Sequence, residues 1–255
     1  IIAVKMCANV VVSLEKDSNT EQHYKKVLAR ISQIRQMKKN DTIVEIGAAQ
    51  GRGLIACAKM GYKAIGIEPW DEARNIGYRL AKHENVKIQL LKGTAEKIPL
   101  GSESCELVLA NSVIEHVIDA QAAFNEIFRI LKPEGVFWFF TASSMCPKQG
   151  EISGFPFFGW YPDRIKRKIM YWAKTNKPEL IGYTETPAIN WFTPRKARLM
   201  LAKAHFKRIY DRWDLRTYSE WDSLHKVILW TIKSNGIARS IANMLKSACE
   251  YSAVK

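Results

Sequence analysis

Among its 255 residues this chain has little of what would make it membrane-spanning, disulfide-stapled or disordered. No apolar run approaches the ~20 residues that a bilayer crossing needs. The longest, at 135–140 and 227–232, are strand-sized. The five cysteines, Cys7, Cys57, Cys105, Cys146 and Cys249, form no C-x-x-C pair, and none lies near a cluster of histidines. That argues against a zinc site and against a disulfide framework, so no metal is expected and the thiols read as reduced and cytoplasmic. No internal repeat or low-complexity tract is present, and at 47% hydrophobic residues a core forms, which excludes global disorder. The chain opens on Ile1 rather than Met, which reads as a fragment and leaves a preceding targeting segment open. The stretch IIAVKMCANVVVSL is short and interrupted by Lys5, so it is not read as a signal-peptide remnant.

What is present is an alternation. Residues 20–37 carry Val27, Leu28, Ile31 and Ile34 at helical spacing. Strands are then expected at 42–46, 63–67, 86–91, 106–110 and 135–141, with helices at 51–60, 71–82 and 120–131. An alternation every 20 residues or so marks βαβ units and a parallel sheet. Ligands in such sheets bind beyond the carboxyl ends of the strands.

The stretch VEIGAAQGRG, residues 44–53, lies at that place. A dinucleotide fingerprint G-x-G-x-x-G counted from Gly47 fails at Ala49 and Arg52. Counted from Gly51 it runs through Gly53 to Ala56, but that starts several residues past the strand. The spacing acid-x-Gly-x-Gly-x-Gly, with Glu45, Gly47 and Gly51 and with Ala49 for the middle glycine, fits better. A second acid, Glu68 in GIEPWD, ends the next strand and suits ribose hydroxyls. Asp71 is expected to cap the following helix and leave Glu68 free.

These motifs, with KGTAEKIPL at 92–100, CELVLANSVIEHV at 105–117 and LKPEGVFWFF at 131–140, resemble the class I S-adenosylmethionine-dependent methyltransferases over residues 20–141. The resemblance implies a Rossmann-like α/β fold, a mainly parallel sheet flanked by helices, with an inserted lid. It implies S-adenosylmethionine as cofactor, contacted by Glu45, Gly47, Ala48, Gly51, Glu68, Pro69, Thr94, Ala95, Glu96 and Asn111. Thr94 stands where the family often has an acid for the adenine amine, and Glu96 or the backbone at Ala95 would take that contact. The turn Asn111-Ser112-Val113-Ile114 lacks the Asn/Asp-Pro-Pro-aromatic motif of amino-directed nucleic-acid enzymes. Glu115-His116 instead resembles the acid–histidine pair of small-molecule methyltransferases, including those that O-methylate quinone precursors. His116 would act as base and Glu115 beside it; the alternative for His116 is a packed histidine in the first turn of a helix.

The whole chain reads as one domain, with residues 20–141 as cofactor core, 142–192 as inserted lid and 193–255 as C-terminal core elements and helical tail. Charge is uneven: residues 1–141 carry a net +3 and residues 142–255 a net +11, with six of the eight tryptophans, Trp160, Trp172, Trp191, Trp213, Trp221 and Trp230. Residues 163–175 are expected to form a basic amphipathic helix capped by Asp163, with Ile165, Ile169 and Trp172 on one stripe and Arg164, Lys166, Arg167, Lys168 and Lys174 beside it. Such a helix suits either an anionic membrane surface or a lid with a solvated basic face. Thr193-Pro194 opens a further helix. The end of that helix and residues 205–213 resemble the last helix and sixth strand of the family core, and 227–232 reads as the seventh strand or as part of a helical tail. The expected function is methyl transfer to a small-molecule or lipid-linked acceptor, by a cytoplasmic protein with peripheral membrane contact. RNA methylation and non-catalytic S-adenosylmethionine binding are the alternatives. Oligomeric state and the identity of the acceptor are not legible.

Overall fold

A computed structural model describes residues 19–182, 186–217 and 223–255. Lys5, Cys7, Trp221 and the opening apolar stretch lie outside them. Seven strands form one sheet in the order β3-β2-β1-β4-β5-β7-β6. They are β1 (Thr42–Ile46), β2 (Lys63–Ile67), β3 (Gln89–Leu91), β4 (Cys105–Asn111), β5 (Leu131–Ala142), β6 (Arg208–Asp211) and β7 (Ala248–Val254). β1 to β5 pair in parallel, and β7 runs antiparallel between β5 and β6. The helices are α1 (19–31), α2 (Arg52–Lys59), α3 (Asp71–His83), α4 (Ala120–Ile130), α5 (Asp163–Asn176), α6 (Pro194–Lys203), α7 (Ser223–Ser234) and α8 (Gly236–Met244). This is a Rossmann-like α/β architecture, a mainly parallel sheet flanked by helices.

The central strands are apolar on both faces because helices cover both. On one face Val44, Val108 and Phe137 pack under Phe124 and Ile127 of α4 and Leu201 of α6. On the other, Ile43, Leu107 and Trp138 pack under Tyr24, Val27 and Ile31 of α1 and Leu54 of α2. The chain runs outward from β1 through β2 to β3, then crosses back to β4. The crevice between β1 and β4 is therefore the topological switch point, where a ligand site is expected.

Beyond β5, the segment 143–191 packs its own cluster of Ile152, Phe158, Met170, Ala173 and Trp191 against Ala142. Several expectations change here. Residue Pro162, extended at ψ 138°, precedes α5 as its cap. Asp163 lies in the first turn and pairs with Lys166 at 2.9 Å and Lys196 at 3.4 Å. Lys166 is not a surface cation: it is 1% exposed and sits 4.4 Å from the Trp191 ring centre. Trp70, not Asp71, caps α3.

Residues 227–232 are helical. Leu229 and Ile232, three apart, turn inward onto Trp213, and the seventh strand lies further on, at β7. Among the described residues no helix is long and apolar enough to cross a membrane.

Candidate cofactor and acceptor site

The turn after β1 winds through three left-handed residues, Gly47 at φ 65°, Ala49 at φ 45° and Gly51 at φ 68°. Gly47 leaves no room for a side chain, since a Cβ there would stand 2.5 Å from Val113 Cγ2. Gly53 is equally constrained, with a Cβ position 2.4 Å from the Tyr24 hydroxyl and 2.7 Å from Glu45 Oε1. Glycine at these positions lets α1, the turn after β1 and the turn after β4 close on one another.

Glu45 is buried at the end of β1. The Tyr24 hydroxyl donates to its Oε1, while Oε2 is buried without a partner. Burial pushes its carboxyl up to about 7, and hydrogen bonds from Tyr24 and the Leu54 backbone offset part of that rise. The Tyr24 hydroxyl also reaches Asn111, the last residue of β4.

Glu68, 4% exposed at the end of β2, accepts from Ala49 N at 2.8 Å and Trp70 N at 3.0 Å. It ties the first turn to the second.

Two hollows meet at Gly47, Glu68 and Trp70. One, of about 290 Å³, is mostly apolar and is lined by Pro69, Thr94, Ala95, Glu96, Val113 and His116 among others. The other, of about 840 Å³, is open and lined by Tyr24, Glu45, Ala48, Ala49, Gln50, Gly53 and Asn111 among others. Of the expected cofactor residues, Glu45, Gly47, Ala48, Glu68, Pro69, Thr94, Ala95, Glu96 and Asn111 all border these hollows. Gly51 does not; it packs near Ile88 and caps α2. Glu96 Oε1 is committed to Ile118 N at 2.8 Å and Asp119 N at 3.3 Å, so its carboxylate anchors the turn before α4.

Glu115 and His116 part company. His116 is half-buried on the wall of the smaller hollow, with its Nδ1 enclosed and unpartnered. Burial lowers its pKa, against the carbonyls of Pro187 and Thr186, which raise it, so the ring is neutral near pH 7. Glu115 is 3% exposed and borders neither hollow; it accepts from Thr141 Oγ1 at 2.7 Å. Its backbone carbonyl accepts from Ile189 N and Asn190 N, at 2.7 and 3.0 Å. Asn190 Nδ2 in turn donates to Val117 O at 2.7 Å. The pair expected to act together is thus split by the tight turn, one side chain toward the hollow and one into the protein. Among the described residues no group of three or more His, Cys, Asp or Glu is arranged to hold a metal ion.

Tyr24 and Trp70 border the site without having been singled out from the sequence. Tyr24 had a signal: it stands three residues before Val27 on the apolar stripe of α1.

Residues 44–139 match the family described as Methyltransferase domain. A probable S-adenosylmethionine-dependent methyltransferase of Mycolicibacterium smegmatis is 33% identical over 95 residues, 37% of this chain and 35% of that protein. A ubiquinone biosynthesis O-methyltransferase of Rhizobium etli is 27% identical over 99 residues, 39% of this chain and 40% of that protein. The chain thus spans well under half the length of these curated relatives. Phosphoethanolamine N-methyltransferase 2 of Haemonchus contortus, solved with S-adenosyl-L-methionine, superposes with a TM-score of 0.58 at 15% identity. That superposition covers 91% of this chain and 52% of that one, and shows the shared fold.

Proposed function

We propose, from the match of residues 44–139 to a methyltransferase domain, that this chain uses S-adenosylmethionine to methylate a small-molecule or lipid-linked acceptor. The observation that carries the reading is the orphaned, buried Oε2 of Glu45 beside the glycine turn. A buried carboxylate oxygen without a donor costs stability unless a ligand supplies one. The ammonium of a methionine moiety would do so. The apolar slot at Pro69, Thr94 and Ala95 suits an adenine, and Glu68, at its mouth, suits the ribose hydroxyls with its remaining lone pairs.

When bound, S-adenosylmethionine supplies an electrophilic methyl group on a sulfonium. The protein's work is then alignment, which can be worth ~7–11 kcal/mol, and removal of a proton where the nucleophile carries one. Neutral His116 is the base in this reading. Glu115 is a positioning residue: through its carbonyl it stitches the 113–117 turn to residues 189–190.

Membrane contact is part of the proposal, but its seat moves from α5 to the α7–α8 hairpin. Ile237 and Leu245 are 74% and 75% exposed, and Leu224, Val227, Trp230 and Ile241 are exposed beside them. Residues 223–247 contain no acid; Lys226 and Lys246 are exposed there, whereas Arg239 pairs with Asp211 and Asp214 and Lys233 donates to the carbonyls of Asp214 and Arg216. An apolar face flanked by cations suits an anionic lipid interface better than RNA, which asks for stacking platforms and phosphate contacts.

The test is calorimetry with S-adenosylmethionine, followed by transfer of labelled methyl into a fractionated extract. Glu68→Ala is expected to weaken cofactor binding by ~1–3 kcal/mol. Unchanged affinity removes Glu68 from the site, and preferential binding of a nicotinamide dinucleotide overturns the reading. Binding without transfer to any fraction would favour a non-catalytic module.

A further inference from the structure

We propose that Arg212 is the anion-binding residue of the acceptor subsite, so that the methyl acceptor carries a carboxylate or phosphate group. This rests on the methyl transfer proposed above. Arg212 follows β6 and is only 8% exposed. Its Nε is enclosed without a hydrogen-bond partner, and among the described residues no carboxylate pairs with it. Its guanidinium instead lies 6.0 Å from the centre of the Phe140 ring. Arginine keeps its charge at any ordinary pH, so an unpaired buried guanidinium is costly until an anion reaches it.

Three of the acids around it hold other donors. Glu250 accepts from Arg30 Nη1 at 3.2 and 3.4 Å and from Trp138 Nε1 at 3.0 Å. Asp211 accepts from Arg239 Nη2 at 2.6 Å. Glu115 is held by Thr141. Glu151, also felt at Cys249, keeps its Oε2 buried and unpartnered, but burial raises its pKa, and among the described residues it forms no ion pair with Arg212.

Its place in the sheet makes the surplus charge useful. Asn111 pairs with Phe140, Phe140 pairs with Glu250, and Asp211 pairs with Tyr251, which sets Arg212 beside Glu250. Asn111, Phe140, Glu250 and Arg212 thus form one row along the carboxyl edge of the sheet. Asn111 borders the cofactor cleft at one end of the row, and Arg212 closes the other. With neighbouring strands about 4.8 Å apart, the two ends are separated by roughly 14 Å. An acceptor lying across Phe140 would present its nucleophile near Asn111 and its anionic group to the guanidinium fork, which matches carboxylate and phosphate oxygens. The Cys249 thiol marks the same end of the sheet: burial raises its pKa, Arg212 offsets part of that rise, and the Glu115 and Glu151 carboxyls add to it.

The experiment measures thermal stability of the full chain, with and without S-adenosylhomocysteine, in phosphate or acetate against chloride at matched ionic strength. One of the two anions should raise the wild-type Tm by about 3 °C at tenfold its Kd. Arg212→Gln should abolish that rise and, in chloride, should not lower Tm, because an unpaired charge has been removed. Arg212→Lys should fold normally and keep a weaker response. Free glycerol phosphate and phosphatidylglycerol vesicles then distinguish a soluble from a lipid-borne anion. A wild-type Tm that ignores both anions, or an equal rise in Arg212→Gln, overturns the proposal. Calorimetry with S-adenosylhomocysteine on the same samples separates the two readings: a wild type that fails to bind it removes the methyl-transfer reading, whatever the anions do.

Discussion

The Thr141 hydroxyl donates to the Glu115 carboxyl at 2.7 Å, and so holds that carboxyl at the tip of β5, away from the hollow that His116 borders. Two adjacent residues that read as a catalytic pair therefore have different work. His116→Ala is expected to leave cofactor affinity nearly intact and lower turnover by ~10²–10⁴-fold, the range for a lost general base. Glu115→Gln keeps the Thr141 contact and should cost less than about tenfold, well short of that range. Steady-state rates with calorimetry on the same preparations check both. Equal losses in the two variants would return Glu115 to the chemistry.

The buried acids also set how stability varies with pH. Burial raises Glu45 and Glu115 from 4.5 to about 7. The folded state thus binds more protons than the unfolded state between those values. Stability is greatest below 4.5 for these groups and is lost as pH rises toward 7, at up to ~1.4 kcal/mol per pH unit for each. His116 has the opposite sign, because its pKa is lowered and folding then opposes protonation. Its stability contribution is lost as pH falls through the range of free histidine. Burial lowers His23 as well and raises Glu151 as well, so three raised acids stand against two lowered histidines, and urea midpoints of the free protein should be higher at pH 5.5 than at pH 8. Glu115→Gln should shrink the difference. A midpoint that climbs steadily with pH would show that neither acid is protonated in the folded chain.

How much was legible follows from how local each signal is. Glu45, Gly47 and Glu68 sit at strand ends, where alternation of apolar runs and turn residues places them within a few positions. The parallel pairing of β1 to β5 follows from the same alternation, while their order does not. Tyr24 shows in the sequence only as part of the apolar stripe of α1; that its hydroxyl meets Glu45, and that Arg212 lies by Phe140, comes from packing between elements far apart in sequence. Residues 227–232, VILWTI, are β-branched and short, so propensity favours a strand. The pairing of Leu229 and Ile232 onto Trp213 decides for helix. Glu115 misled because side-chain direction after a tight turn depends on backbone angles, with Ser112 left-handed at φ 56°.

Ala49 gives a direct test of the glycine turn. It occupies the left-handed region at φ 45°, where a Cβ costs roughly 1–2 kcal/mol. Ala49→Gly removes that cost but adds unfolded-state freedom worth ~0.4–1 kcal/mol. The expected net gain is about 0.5–1 kcal/mol, or a Tm higher by ~1–3 °C for a chain of this size. Calorimetric melting is the measurement. A lower Tm would mean that the Ala49 methyl makes packing contacts that outweigh the strain of the turn.

The last prediction concerns the α7–α8 hairpin. Its inner side is small, with Leu229, Ile232 and Ala242 packed on Trp213. Its outer side leaves Ile237, Ile241 and Leu245 in solvent at helical spacing, with Met244 beside them. Solvent-exposed apolar groups in such a run are rare on a monomer without a partner surface. The α5 helix competes poorly for that role. Met170 and Ala173 are packed inward, Lys166 is buried, and Arg167 Nε donates to Ile189 O at 2.8 Å, which fastens the helix to the protein. The wild type should therefore bind anionic vesicles reversibly, more weakly as salt screens the attraction over ~8 Å at physiological ionic strength. Replacing Ile237, Ile241 and Leu245 by Ser should remove most of the salt-resistant binding, since each buried apolar side chain contributes about 1.5–3 kcal/mol at most. Replacing Arg164, Arg167 and Lys168 by Gln should change binding far less, and flotation at two salt concentrations reads both. If the α5 changes abolish flotation and the α8 changes do not, the lipid-facing element is α5, and the hairpin's apolar face belongs to another partner.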